Sequence, residues 1–388
     1  MPPVCRAAPN PRVVVAIPAR DEAGGIARTL RALGEQVDAT GALLRDFTVL
    51  VLANNCADDT ARVAREAAPP GLQVQVTEVT LAPWEAGIVA ARRRVLDHAA
   101  ALAGEDGVIV STDADTLPAP QWLSALLGAL AAGADAAAGR ILLDPAQRAA
   151  LPAAARRTHL LDSAYRQAVA EVHARLDPVF HDPWPRHWQH FGASLALSVR
   201  AYRAVGGVPD VSCLEDVALV GALRRADLHL RHTPQARAWT SARLSGRVPV
   251  GLSTQLTQWA QAGDGWTVPG AAETLALARA EAALRRAWDH RDPGSRSLLP
   301  ELWRVDGPEM AAVLEAPTFG LALEGAHWAR EAGGLWRGAY PPVAVTQALA
   351  ELRAALPALR LLGPPAPPLW SAGWADPAQP VRSSTSSR

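Results

Sequence analysis

The chain has 388 residues, with 38 basic and 38 acidic side chains giving a formal net charge of +0, and it is 49% hydrophobic against 20% charged. That balance describes a globular protein with a sizeable core. It excludes a disordered chain and offers general nucleic-acid binding no basic excess to work with. Every basic residue is arginine, a bias of base composition that weakens any argument built on one arginine.

The three cysteines, Cys5, Cys56 and Cys213, are odd in number and far apart, matching neither a disulfide framework nor a CxxC metal site. A reducing, cytoplasmic setting is the simplest expectation. The opening "MPPVCRAAPNPR" lacks the apolar core of a secretory signal. The longest apolar segment, "WLSALLGALAAGADAAAG", is broken by Asp135 and falls short of the ~20 residues that span a bilayer. The expectation is a chain without a transmembrane segment, with peripheral membrane contact left open.

After an N-terminal extension, residues 1–11, "RVVVAIPARDEAGGIARTLRAL" reads as a buried strand over Val13 to Ile17, a polar loop, and a helix with Ile26, Leu30 and Leu33 on one face. "FTVLVLANNCADDTARVAREA" repeats that pattern. "LQVQVTEV" supplies a third strand and "AGIVAARRRVLDHAAAL" a helix. "GVIVSTDADT" is a fourth strand, followed by a helix with Leu123, Leu126, Leu127 and Leu130 in register. Continuous apolar strands alternating with helices predict an α/β fold, a mostly parallel sheet covered on both faces. In such sheets ligands sit beyond the carboxyl ends of the strands.

The stretch from about 140 to 190 reads as irregular and rich in Arg, His and Trp. "ASLALSVRAYRAVGG" then reads as strand and helix, and "VSCLEDVALVGALRRADLHLRHTP" as an acidic loop entering a helix. From about 250 the pattern is helical and Trp-rich, and the end from 363 is rich in Pro and Ser.

The fourth strand ends in Asp113 and Asp115, separated by one alanine. Two carboxylates at i and i+2 beyond a strand end can turn toward one point, which suits a hard divalent cation such as Mg²⁺ or Mn²⁺. The same pair also suits a plain turn whose aspartates cap the next helix.

Taken together and in order, these loops resemble the family 2 glycosyltransferases of the GT-A, nucleotide-sugar-binding fold, over roughly residues 12 to 247. "AIPARDE" resembles the first-strand P-x-x-x-E segment, placing Pro18, Ala19 and Glu22 around the base and ribose. "VLANNCADDTARVA" is similar to the second-strand loop, with Asn54 where an Asp commonly contacts the base. "AGIVAARR" resembles G-x-x-x-A-R and places Gly87 and Arg92 near the diphosphate. "TDADT" falls at the metal and diphosphate site, with Asp113 and Asp115 as ligands. "LED" is similar to the late motif in which Asp216 would be the catalytic base and Glu215 its neighbour.

The resemblance implies a Rossmann-like GT-A domain over 12–247, with a nucleotide-sugar half (12–139) and an acceptor half (140–247). A helical C-terminal extension (248–362) and a tail (363–388) follow. It further implies a metal-dependent, inverting glycosyltransferase that uses Mg²⁺ or Mn²⁺. The donor would be a nucleoside-diphosphate sugar, UDP favoured and GDP possible, and the acceptor an unidentified small or lipid-linked molecule, with no nucleic-acid partner. His232 stands as a candidate third metal ligand, while the usual alignment would place one nearer Trp239 and Thr240. Arg243 and Arg247 are candidates to close over the diphosphate. His187, Trp188, His190 and Trp239 are candidates to stack on a sugar.

Two alternatives stay open, a non-catalytic nucleotide-sugar-binding protein and a sugar nucleotidyltransferase. Against the second, the first strand lacks a Gly-rich basic loop for a triphosphate. A dehydrogenase is disfavoured because no G-x-G-x-x-G follows that strand.

Overall fold

The computed structural model describes residues 12–82, 87–246, 250–290 and 293–361. The N-terminal extension, Arg247 and the 363–388 tail lie outside the described residues. Four strands open the chain as the sequence predicts: β1 (Val13–Ala19), β2 (Thr48–Asn54), β3 (Gln73–Val79) and β4 (Val108–Ser111). They pair in parallel in the order β3-β2-β1-β4, with Val14 opposite both Thr48 and Ile109. β1 and β2 are buried along their whole length, as their unbroken apolar runs require. β3, "QVQVTEV", alternates polar and apolar residues because it lies at the sheet's edge.

Helices α1 (Ile26–Gly34), α2 (Thr60–Glu66), α3 (Ile88–Ala103) and α4 (Trp122–Ala131) connect these strands and cover them. One core gathers Leu30 and Leu33 with Val15, Val51 and Trp122 on one face of the sheet. The other packs Val95 and Leu96 against Val14, Leu50 and Ile109. The fully buried Trp122 donates its indole N–H to Ser194 Oγ at 2.8 Å.

The sheet continues through β5 (Leu117–Pro118), β6 (Ala136–Leu143), β7 (Leu195–Ser198) and β8 (Leu230–Thr240), in the overall order β3-β2-β1-β4-β7-β6-β8-β5. β7 runs antiparallel between β4 and β6, so the sheet is mixed on this side. β6 has no counterpart in the sequence reading. Its "AAAG" closes the longest apolar segment, and alanine favours helix intrinsically. The flanking strands β7 and β8 supply backbone partners on both edges, and that pairing overrides the propensity.

The stretch read as irregular, 140 to 190, also contains more order than its composition announces. After α5 (Pro145–Ala150), helix α6 (Ala153–Leu176) runs for 24 residues, ~36 Å at 1.5 Å per residue. Its buried side is built largely from Ala155, Thr158, Asp162, Ala168 and Ala170, so it carries little of the leucine periodicity that marks an amphipathic helix. It packs with Tyr165 and Val172 against Leu349, Leu352 and Leu356 of the C-terminal helix Val345–Leu361.

α7 (Val199–Ala204) and α8 (Glu215–Arg225) follow β7. The remaining chain is helical as predicted, including Leu252–Ala262, Ala271–His290 and Phe319–Ala332, apart from two-residue strands at Thr267–Val268 and Val343–Ala344. Gly320 fixes one junction: a Cβ there would lie 1.7 Å from the Arg224 carbonyl oxygen at the end of α8. Among the described residues no helix is long and apolar enough to cross a membrane.

Candidate active site

The carboxyl ends of β1 and β4, neighbours in the sheet, present the first two acidic loops to one another. After β4 the chain makes a tight turn in which Thr116 N–H donates to the Asp113 carbonyl at 3.1 Å. The next helix begins only at Trp122 and has no side-chain cap, so neither aspartate serves as a helix cap. The Asp113 and Asp115 carboxylates are turned to different partners. Asp113 meets Arg92 at 2.9 Å, while Asp115 meets Arg243 at 3.1 Å.

Arg92 stands at the centre of this site. It lies on α3 and is buried. Its Nε donates to Glu215 at 2.8 Å, Nη1 to Ser111 Oγ at 2.8 Å and to the Gly192 carbonyl at 3.3 Å, and Nη2 to Asp113 at 2.9 Å. Burial opposes its charge, but the carboxylates of Asp113, Glu215 and Asp216 outweigh that and hold the guanidinium above its ordinary pKa. Arg92 therefore joins the β4 turn to the start of α8 instead of projecting freely toward a ligand. Gly192 makes room for it, since a Cβ there would approach the guanidinium carbon to 2.5 Å. Arg93, its neighbour, turns away to the Val208 carbonyl at 2.9 Å.

Glu215 and Asp216 are the first residues of α8, preceded by Leu214 in the left-handed conformation at φ 55°. A leucine in that region carries about 1–3 kcal/mol of strain. Here the turn directs Glu215 inward to Arg92, and Asp216 toward the 191–194 segment. Asp216 Oδ2 accepts from the Gly192 N–H at 2.7 Å, and Oδ1 from the Val217 N–H at 2.8 Å. Two backbone amides thus fix the orientation of this carboxylate.

Glu22 lies in the loop after β1, before α1 begins, so it is no first-turn helix residue. Its backbone N–H donates to Thr60 Oγ1 at 2.8 Å, and its carboxylate accepts from Arg243 at 2.8 Å. Arg243, in the segment after β8, bridges Glu22 and Asp115 and stays half-exposed. Burial, aided by the charges of Asp113 and Glu22 and opposed by Arg243, pushes the Asp115 carboxyl up to about 6. Crowded oxygen donors short of positive charge are the donor set a hard divalent cation fits, and Asp113 and Asp115 are the residues that would hold it.

Pro18 and Ala19 end β1, and Asn54 is buried at the end of β2. Asn55 adopts φ 51° and ties the loop to Leu81 through both its side-chain amide groups, at 2.9 and 3.0 Å. Gly87 directly precedes α3, at its N-cap. A nearby trio, Asp21, Cys56 and Asp58, has ligand atoms within 4.8 Å of one another. Asp21 and Asp58 also accept from the Ala57 and Ala23 amides at 2.7 and 3.0 Å, so this cluster fastens two loops together.

His232 is a correction. The structure does not bring it to Asp113 or Asp115. Its Nδ1 contacts Asp182 Oδ2 at 2.8 Å, and its Nε2 lies 3.3 Å from His190 Nδ1. The ladder explains why: His232 pairs with Ala138, several residues back along β8 from Thr240, whose hydroxyl meets Thr116 at 3.3 Å beside the aspartate turn. His187 is buried with its Nε2 3.2 Å from the Ala138 carbonyl, and His190 is half-buried beside His232. Sequence reasoning missed Ser111, Gly192 and Asp182. Nothing in their local sequence marks them, because their roles come from chain segments 19 to 100 residues away.

The profile described as glycosyl transferase family 2 matches residues 14–170. That segment is similar to the family 2 glycosyltransferases. The Leu214–Asp216 segment and Arg243 fall beyond the matched residues.

No curated protein matches it in sequence. Among solved structures it is similar to the mannosyltransferase PcManGT from Pyrobaculum calidifontis, solved with GDP-Man and Mn²⁺. That match has 22% identity, 90% of this chain and 81% of that one, and a TM-score of 0.42. S. aureus TarS 1–349, solved with UDP-GlcNAc, gives 12% identity over 89% of this chain and 92% of that one, with a TM-score of 0.44. Glucosyl-3-phosphoglycerate synthase from Mycobacterium tuberculosis, solved with Mn²⁺, UDP-Glc and phosphoglyceric acid, gives 18% identity, 67% and 84% coverage, and a TM-score of 0.39.

Proposed function

We propose that the protein is a cytoplasmic, metal-dependent, inverting transferase that moves a sugar from a UDP- or GDP-sugar to an acceptor hydroxyl. The observation that carries this reading is Arg92. Contacts of 2.9 Å to Asp113 and 2.8 Å to Glu215 hold the donor-side turn and the helix bearing Asp216 around a single buried cation. A divalent cation bound at Asp113 and Asp115 would neutralise the diphosphate leaving group.

Asp216, oriented by two amides, takes the proton of the acceptor hydroxyl as that oxygen bonds to the anomeric carbon. The bond from that carbon to the diphosphate oxygen breaks, and the electron pair leaves with the nucleoside diphosphate. A single displacement of this kind inverts the anomeric centre. Glu215, locked to Arg92, positions Asp113 and Asp216 relative to one another. Glu22, Asn54, Pro18, Ala19 and Gly87 take the nucleotide, and Asp115, paired here with Arg243, would with Asp113 hold the cation.

The test is a thermal-shift panel of UDP, GDP, ADP and TDP with and without Mn²⁺, followed by a nucleoside-diphosphate release assay with the matching sugar donors. Stabilisation by one nucleotide with Mn²⁺, lost in Asp113→Ala/Asp115→Ala, is expected. Release of pyrophosphate in place of nucleoside diphosphate would sink the proposal in favour of nucleotidyl transfer. Binding without any release would make the protein a non-catalytic nucleotide-sugar binder.

A further inference from the structure

Away from the carboxylate cluster, a cavity of about 480 Å³ opens between α6, the loop that follows it, the far end of α8 and the segment from Trp266 to Pro269. None of Glu22, Arg92, Asp113, Asp115, Glu215 and Asp216 lines it. Its wall has two characters, aromatic at Tyr165, Trp188 and Trp266 and cationic at Arg166, Arg186 and Arg224.

Among the described residues the one carboxylate in that wall, Asp182, is already engaged. Asp182 accepts from the His232 backbone N–H and ring at 2.8 Å each, from Arg231 at 3.1 Å and from Arg186 at 3.3 Å. Burial opposes its ionisation, but His232 and Arg186 overcome this and hold it below the usual carboxylate range. Arg166 gives its Nε to Asp162 at 2.6 Å. Arg224 differs from both: its guanidinium makes no hydrogen bond or ion pair among the described residues, although it is exposed and lines the cavity. An arginine fork without a counter-ion, in a cavity whose own carboxylate is committed, is arranged to receive a planar or tetrahedral oxyanion in a bidentate contact.

The cavity is also tied to the reacting centre. Asp216 and Arg224 lie on the same helix, eight residues apart by their numbers, or ~12 Å at 1.5 Å per residue. Arg224 therefore stands about two turns along α8 from Asp216. We infer that the acceptor carries a phosphate or carboxylate, which Arg224 holds in this cavity with help from Arg166 and Arg186, while the acceptor's hydroxyl extends toward Asp216. The aromatic wall covers the less polar body of the molecule. The inference rests on the transferase reading for the word acceptor, but the anion site is testable without it.

The experiment is calorimetric titration of the full chain, without added metal, with inorganic phosphate and separately with acetate. UDP with Mn²⁺ is titrated in a parallel series. One of the two anions should bind the wild type, and which one does distinguishes phosphate from carboxylate recognition. Arg224→Ala should weaken that binding roughly tenfold to a hundredfold, the loss of charged hydrogen bonds, and leave the UDP titration unchanged. Arg224→Lys should recover part of the loss, and Asp113→Ala/Asp115→Ala should weaken UDP alone.

Equal anion affinity in wild type and Arg224→Ala, or no anion binding at all, would overturn the inference. So would loss of phosphate binding in the double aspartate variant, which would put the anion at the donor site. Arg224-dependent anion binding together with no UDP binding would leave the cavity standing and remove the transferase reading.

Discussion

The carboxylate cluster at the strand ends and the Arg- and His-rich cavity solve the same problem, charge held inside a protein, in opposite ways. In the cluster carboxylates are in excess, and two arginines serve them: Arg92 buried, Arg243 half-exposed on a loop. At the cavity arginines are in excess and Asp182 serves them. The first arrangement is suited to a cation and the second to an anion. The site chemistry in each case follows from which partner is left over after the internal pairs are counted.

The comparison can be broken most severely at Asp216. Asp216→Asn should lower transfer roughly 100- to 10,000-fold, the usual contribution of a positioned base, with nucleotide binding retained. Turnover within a few-fold of wild type in a steady-state assay would remove Asp216 from the chemistry.

Next comes Arg92→Ala, which strands Glu215 in the interior without its cation. Breaking such a pair costs about 3–5 kcal/mol, and the midpoint of denaturant unfolding should fall accordingly. An unchanged midpoint would mean that Arg92 does not organise the donor side.

The cavity side has its own counterpart in Glu281, on the helix Ala271–His290, which accepts from His173 at 2.9 Å and lies 3.0 Å from His327. Burial would raise its pKa, but the two histidines outweigh burial and depress it. A depressed carboxyl contributes stability that is present above its unfolded pKa, near 4.5, and is lost as pH falls toward the folded value. Glu281→Gln should therefore lower Tm at neutral pH by the equivalent of about 1–3 kcal/mol, with the gap to wild type closing progressively below pH 4.5. UDP binding should not change. A gap that persists undiminished into acid would show that ionisation of Glu281 is not what holds these helices.

The smallest effect is expected from Trp122→Phe. It keeps the ring buried but removes the 2.8 Å bond to Ser194, for about 1 kcal/mol in unfolding free energy. A loss several times larger would mean that shape at this position matters more than the hydrogen bond.

Much of the donor half is legible before folding because each unit repeats one local rule. Val13–Ala19 and Thr48–Asn54 are continuous apolar runs, and each is followed by a polar loop and a helix. Placing Glu22, Asn54 and Asp113 at strand ends needs no more than that. Arg92 and Arg93 cannot be separated in the sequence, since adjacent helical residues point about 100° apart and either could face the sheet. Burial against Ser111 and Gly192 selects Arg92. α6 and β6 were hidden for another reason: alanine-rich segments carry little hydrophobic contrast, so their state is decided by what lies beside them.

By itself the sequence determined the alternation of strands and helices, the acidic loops at their ends and the helical character beyond residue 250, because these depend on neighbours a few positions apart. Only the tertiary structure decided that Arg92 joins Asp113 to Glu215, 123 positions away from itself, that Arg243 reaches back to Glu22, and that His232 serves Asp182. Charge pairing in an interior is set by distance in space and by desolvation, and neither is written in the local pattern of a chain.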